Sequence, residues 1–418
     1  MDGLLLWDRL PMPNQSSPRN SSELPAAAGS TPELRLLDIV FVALFVQLVL
    51  LILASLVLQR GPAFVGRAEG GFSMDFGDFY LAAMYYTHHL NPYSTGGFVW
   101  PPFAILIGLL FKSMPWAIAR YWWLAINLSC LLAALIAFSR QINLGRRNTT
   151  LVLMIAALSY PVHFLIERGH VDGLMLACLV FAFRARHWAL RSLLFGMSIA
   201  IKLYSGLLLV VLARRKRWKF MFGAIAACAL LQLPWLNLAL SYPMVLSRRT
   251  SQWIMVENIT PAPLFYSALG SFGPLWKLMF FLFWLLTFGW TLLQFNTEQN
   301  DSADWVLFAP WMMSMPLVVY PYTAVLTLPL LVYQAKRMQG RRWSAPEWLF
   351  VAGFVLVGTQ QTAIADFLAS VPNYATLVYR LNSLGSAILM VSCCMLVSKP
   401  SGYGAAKSQE DQIVTSAA

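Results

Sequence analysis

The chain has 418 residues, 58% of them hydrophobic and only 11% charged. A soluble domain carries nearer a quarter charged residues, so this composition excludes a water-soluble globular fold and implies an integral membrane protein. The formal net charge of +12 does not point to nucleic acid, because the cations stand in short clusters between apolar runs, the pattern of loops kept on the cytoplasmic face.

Residues 1–35 are polar, rich in Ser, Pro and Asn, and lack the apolar core of a signal peptide, which predicts a disordered cytoplasmic tail. Residues 36–398 then read as one transmembrane domain. A span needs about 20 apolar residues, and clear candidates lie at 36–58, 116–138, 192–212, 220–240, 274–295, 345–362 and 376–397. Shorter or paired runs at 100–113, 150–166, 171–183, 304–319 and 322–335 raise the expectation to about twelve membrane helices. Residues 399–418 read as a second disordered cytoplasmic tail. The fold class predicted is all-α, a polytopic transmembrane bundle. Cys130, Cys178, Cys228, Cys393 and Cys394 all fall inside apolar stretches without metal-type spacing, and read as small core residues.

The two densest basic clusters, Arg214 to Lys219 and Lys336-Arg337 with Arg341-Arg342, are separated by an even number of predicted spans. They therefore share a side, which the positive-inside rule makes cytoplasmic. Asp38 then falls at the inner end of the first span. Arg140, Arg146, Arg147, Arg184, Arg186 and Arg191 fall outside, against the rule. Two long segments face outward, a first extracytoplasmic loop over 59–99 and a second over 241–273. Long loops are where chemistry is built on a helical scaffold.

Of the 18 carboxylates, this topology leaves Glu69, Asp75, Asp78, Glu257 and Asp366 outside. Asp75 and Asp78 stand in Asp75-Phe76-Gly77-Asp78-Phe79-Tyr80. Three apart on a helix, they share a face, where a neighbouring like charge makes one of them a better proton acceptor. The other reading is a helix cap or a solvated loop acid. The apolar and aromatic run from Phe79 to Tyr86 predicts a helix lying on the membrane, ended by the Asn91-Pro92-Tyr93 turn. Trp100-Pro101-Pro102-Phe103 then opens the next helix, with proline where a missing N–H costs nothing.

At these residues the chain resembles glycosyltransferase family 87, within the GT-C superfamily. The resemblance rests on Asp75-Phe76, Phe79-Tyr80, Ala82-Ala83, Pro92-Tyr93 and Pro101-Pro102 in order, with Phe79 and Trp100 as aromatic replacements for tyrosine. A second stretch runs from Tyr160-Pro161 to Gly169-His170, Ile201-Lys202 and the Arg214 cluster. It departs from the family pattern with His170 in place of glutamine and Leu203-Tyr204-Ser205 where many relatives have proline. A third, Tyr320-Pro321-Tyr322 through Leu328-Pro329-Leu330, is weaker. Together they cover roughly residues 60–340.

The resemblance implies a GT-C-type fold, multi-pass in the cell membrane. It implies transfer of a hexose or pentose, mannose among them, from a polyprenyl-phosphate donor to a glycolipid or glycan acceptor on the outer face, with inversion. Asp75 would be the general base, with Asp78 as the second candidate. The lipid-linked sugar is a substrate, so no cofactor is expected, and no clustered ligand spacing suggests a metal.

The remaining candidates bind substrate or serve the scaffold. Arg248 and Arg249 open the second outer segment and suit either a donor phosphate or lipid headgroups. Lys202, mid-way along an apolar run, is a functional residue or a snorkelling or structurally paired one. Arg168, His170 and Asp172 form a polar knot that this topology places inside, away from the chemistry, which favours structural pairing. His88 and His89 read as surface residues, and Tyr322 as either a cavity residue or part of an aromatic belt. The competing functions are a transporter or lipid flippase, against which stand the acidic outer loop and the absence of inverted repeats, and a non-catalytic envelope scaffold.

Overall fold

The computed structural model describes residues 36–57, 73–95, 97–249, 259–295, 303–314, 321–338, 343–359, 364 and 374–398. Among these residues all regular structure is helical, which satisfies backbone groups within each segment where no water can reach them. In chain order the helices begin with α1 (Leu36–Val57), α2 (Met74–Thr87), α3 (Ile105–Phe111), α4 (Trp116–Gln141), α5 (Arg146–Leu158) and α6 (Tyr160–Arg168). Next come α7 (Asp172–Arg184), α8 (Trp188–Ile201), α9 (Leu208–Arg214), α10 (Trp218–Gln232), α11 (Leu236–Arg249) and α12 (Ala262–Leu269). The last are α13 (Leu275–Gln294), α14 (Ala309–Ser314), α15 (Thr327–Arg337), α16 (Ala345–Gly358) and α17 (Tyr374–Val397).

Five segments are long and apolar enough to cross a membrane: Leu36–Leu53, Trp116–Gln141, Trp218–Val245, Leu275–Gln294 and Arg380–Val397. The pair α5–α6, bent by 57°, makes a sixth if its halves form one span. The protein is thus an all-helical integral membrane protein, but the expected twelve full spans are not found among the described residues. The outer segment expected over 241–273 is largely helical where described, in α11 and α12. Its Glu257, like Glu69 and Asp366, lies outside the described residues.

Ion pairs and ring contacts sort the helix termini into two ends. At one, Asp75 meets Arg168 and Asp172 meets Lys202. At the other, Arg215 meets Asp304 at 2.9 Å, and the Tyr333 hydroxyl donates to the same carboxylate at 2.6 Å. Helix α4 joins the two. Trp116 at its start stacks on Phe76 at 5.5 Å, and Phe138 near its finish meets Trp305, next to Asp304, at 6.2 Å.

This arrangement corrects the predicted topology twice. The run 100–113 does not cross: the Trp100 ring lies 5.7 Å from His170 and Phe111 lies 5.5 Å from Phe76, both at the Asp75 end. The run 192–212 is two helices, because α8 stops at Ile201, Lys202 takes extended backbone (φ −148°, ψ 123°), and α9 returns to Arg214. The start of α8 sits beside the start of α10, with the Arg191 guanidinium 4.7 Å from the Phe220 ring and Lys219 Nζ 4.7 Å from the Trp188 ring.

One crossing lost and one gained leave the 213–219 loop at the same end as Lys336 and Arg337, as expected. The intervening residues change ends. Arg147 pairs with Asp38 at 2.9 Å instead of facing it across the bilayer, and Arg184 Nη1 donates to the Ala137 carbonyl at 3.2 Å. Arg140, Arg146, Arg147, Arg184, Arg186 and Arg191 therefore join the other basic clusters, and the violation of the charge rule disappears.

The large apolar core runs between α1, α4–α9 and α13–α17. A second, aromatic core of Phe76, Phe79, Trp100, Phe103, Phe111, Trp123 and Trp235 lies under α2. It holds α2 against α3 and α4. Contact with α3 is close enough that a Cβ at Gly108 would overlap the Phe79 carbonyl.

Candidate active site

The site is assembled where α2 begins and α6 ends. Gly169 terminates α6 in the left-handed region (φ 65°), which glycine enters without steric cost. Ser73 precedes α2 with φ 68°, and its N–H donates to the Glu167 carbonyl at 2.6 Å. A Cβ at Gly169 would sit 2.6 Å from Ser73 Cα, so only glycine admits this approach. It brings Arg168 Nη2 to 2.6 Å from Asp75 Oδ1, with the Asp75 side chain 6% exposed and that of Arg168 32%.

Beyond Gly169 the chain turns into α7, and Asn127 of α4 clamps the turn. Its Nδ2 donates to the His170 carbonyl and its Oδ1 accepts from the Leu174 N–H at 2.9 Å. Trp123 Nε1 donates to the Gly169 carbonyl at 2.6 Å. These bonds fix His170 and Asp172, both fully buried.

Asp172 gathers three side chains. Lys202 Nζ donates to Oδ2 at 3.2 Å, and the Tyr204 hydroxyl donates to Oδ1. His170 Nδ1 lies 2.8 Å from Oδ2, but off the axis of a well-aligned hydrogen bond. His170 stacks on Tyr322 at 3.6 Å between ring centroids, nearly parallel. Lys202 Nζ lies 5.0 Å from the rings of both Tyr204 and Tyr322, within cation–π range. Asp75 acts electrostatically on both His170 and Lys202. A buried charge needs such partners, since desolvation costs several kcal/mol per ion.

The structure therefore brings Asp75, His170, Lys202 and Tyr322 together. Arg168, His170 and Asp172, expected on the opposite face, stand beside Asp75, because the run 100–113 does not cross and the bent pair α5–α6 then returns the chain to this end. Tyr322 is buried in the cluster and is not part of an aromatic belt. Asp78 belongs elsewhere: its carboxylate packs on the 97–98 turn, where a Cβ at Gly97 would come within 2.9 Å of Oδ2 and closer to Oδ1. Helix α11 ends at Arg248 and Arg249, whose side chains lie outside the described residues, as does Tyr320. His88 and His89 are exposed. Tyr204 joins the candidate residues only here, while Arg168 and Asp172, expected as structural pairing, join the site itself. The sequence signal for them was Arg168-Gly169-His170, a cation and a hydrogen-bonding ring on either side of a helix-ending glycine.

Residues 98–313 match the sequence profile of glycosyltransferase family 87. The chain belongs to this family. The matched span includes Trp100, Arg168, His170, Asp172, Lys202 and Tyr204, while Asp75 and Tyr322 flank it. This family 87 chain is similar to α-(1→3)-arabinofuranosyltransferases from two strains of Mycobacterium tuberculosis. The alignment runs over 324 residues at 25% identity to each and covers 69% of this chain and 71% of each relative. No solved structure matches it. Family membership makes the protein a membrane glycosyltransferase and decides against a transporter, a flippase or a non-catalytic scaffold.

Proposed function

We propose that the protein moves a pentose, an arabinofuranosyl unit, from a polyprenyl-phosphate donor to a glycolipid or glycan acceptor, with inversion, and that Asp75 is the general base. One observation carries this reading: a buried carboxylate, Asp75, stands at the head of α2 beside a cluster of Arg168, Lys202 and His170. Arg168 Nη2 lies 2.6 Å from Oδ1 in the free protein, and the carboxylate is the group that takes the acceptor proton. Such a base contributes about 10²–10⁴-fold in rate, and nearby cations offset charge on the leaving phosphate.

A pentose is preferred over a hexose such as mannose because the curated relatives are named for arabinofuranosyl transfer. Arg248 and Arg249 enter the proposal as further donor-phosphate ligands. The Asp75 end faces outward in the cell membrane, since the other end carries the arginine clusters. His88→Cys should then react with an impermeant thiol reagent on intact cells, and Lys216→Cys should not.

The substrate is tested by offering the detergent-solubilised protein polyprenyl-phosphate arabinofuranose and polyprenyl-phosphate mannose with an arabinan or mannan acceptor. Loss of the arabinose donor alone is expected. Consumption of only the mannose donor would overturn the pentose assignment, and consumption of neither would remove the polyprenyl donor.

A further inference from the structure

Among the described residues, Asp75 and Asp172 face Arg168 and Lys202, with His170 between them. A phosphate entering the cluster adds an anion that competes with these carboxylates for the cations. The two cations differ in how they are held. Lys202 is buried, donates to Asp172, and sits against two tyrosine rings while Asp172 also takes the Tyr204 hydroxyl. Arg168 is the more accessible, with about a third of its side chain exposed (32%), and it meets Asp75 at Oδ1. Its planar fork suits phosphate oxygens as well as carboxylate.

We propose that Arg168 is handed from Asp75 to the phosphate of the lipid-linked donor, so that the base is released only once donor is in place. This rests on the transferase reading with Asp75 as base. In the free enzyme the guanidinium is engaged with Asp75 Oδ1. When donor binds, Arg168 turns to the phosphate and Asp75 is freed beside the anomeric carbon. The acceptor O–H proton passes to Asp75 and the acceptor oxygen bonds to the anomeric carbon. The bond from that carbon to the phosphate oxygen breaks, its electron pair leaving on the phosphate, whose added charge meets Arg168. Donor therefore binds before acceptor, and an enzyme without donor does not activate water.

Equilibrium binding of farnesyl phosphate to the full-length protein in detergent tests this apart from catalysis. The wild type, Asp75→Asn, Arg168→Gln and the double variant are compared, with thermal unfolding to confirm that each is folded. Removing the competing carboxylate should tighten binding roughly tenfold in Asp75→Asn, while Arg168→Gln should weaken it. The double variant should bind like Arg168→Gln alone, because the gain needs the arginine. Arg168→Lys, which keeps the charge and loses the fork, should fall between wild type and Arg168→Gln.

An equal gain from Asp75→Asn with and without Arg168 would reduce the effect to bulk field and overturn the hand-over. So would an unchanged affinity, or no binding to any variant. Turnover separates the two readings. A dead Asp75→Asn with unchanged affinity keeps the base and removes the hand-over, whereas an active Asp75→Asn with coupled affinity keeps the Arg168 phosphate site and removes the base.

Discussion

The two ends of the bundle carry charge in opposite ways. At the Asp75 end, two carboxylates and two cations are gathered within a few residues of helix termini, all but Arg168 largely removed from solvent. At the other end, Arg140, Arg146, Arg147, Arg184, Arg186, Arg214 and Lys216 outnumber the acids, and most stand exposed; Arg215 and Asp304 are the buried exception. Exposed cations in excess set orientation in the bilayer at little cost. Buried charges kept in balance are expensive, and their geometry is fixed by every partner they touch. The difference separates the end that decides how the chain inserts from the end that decides what it does.

The largest expected effect breaks the chemical end without breaking the fold. Asp75→Asn keeps size and hydrogen-bonding shape but cannot accept a proton, so kcat should fall about 10²–10⁴-fold with thermal unfolding little changed. Asp78→Asn should be milder and should appear in stability, since that carboxylate supports the turn at Gly97. The reverse outcome, with Asp78→Asn inactive and Asp75→Asn active, would move the base one turn along α2.

The next effect is structural and should be alike at the two ends. Asp172→Asn removes the carboxylate partner of buried Lys202, and Arg215→Gln removes the guanidinium partner of buried Asp304. Each should cost about 3–5 kcal/mol, the price of an uncompensated buried charge. Pairing Asp172→Asn with Lys202→Met should recover part of the loss in thermal stability. If Asp172→Asn unfolds no earlier than wild type, the network around Lys202 is not the internal ion cluster described here.

Gly169→Ala tests the joint between α2 and α6. A methyl group there meets Ser73 backbone and holds alanine at φ 65°, so about 1–3 kcal/mol should be lost. Activity should drop with it, because the same joint sets the Asp75–Arg168 distance. Full activity with normal stability would show that α2 can shift to accommodate the methyl.

How much of this was legible in the sequence depends on what kind of signal each residue leaves. Membrane class, helical fold and the shared end of the 213–219 loop and Lys336-Arg337 followed from composition and charge, and the family from ordered motifs. The fold of α8 against α9 did not. Hydropathy measures an average over a run, and 192–212 reads as one span whether it crosses once or turns back at Lys202. The ionisable side chain was the visible mark, but a buried lysine marks a turn and a mid-span site alike. The same limit hid Arg168 and Asp172. They lie about 100 residues from Asp75, and only the parity of crossings could have placed them beside it.

The smallest effect sharpens the comparison from the other side. Arg147 and Asp38 form an ion pair of good length, 2.9 Å, yet the Arg147 side chain is 64% exposed and that of Asp38 28%. In water at that distance the attraction is about 1 kcal/mol, and holding two side chains in one geometry offsets much of it. Arg147→Gln should therefore change thermal unfolding by the equivalent of less than about 1 kcal/mol, and by less again in high salt. The pair still reports topology, because it ties the start of α1 to the start of α5 at one end of the bundle. Charge reversal makes that reading testable: Arg147→Glu with Asp38→Arg should insert and unfold like wild type, while Arg147→Glu alone should be slightly less stable. A loss near that of Arg215→Gln would mean that this pair is buried in the membrane-embedded protein, and the contrast between exposed and internal charge would fail where it is easiest to measure.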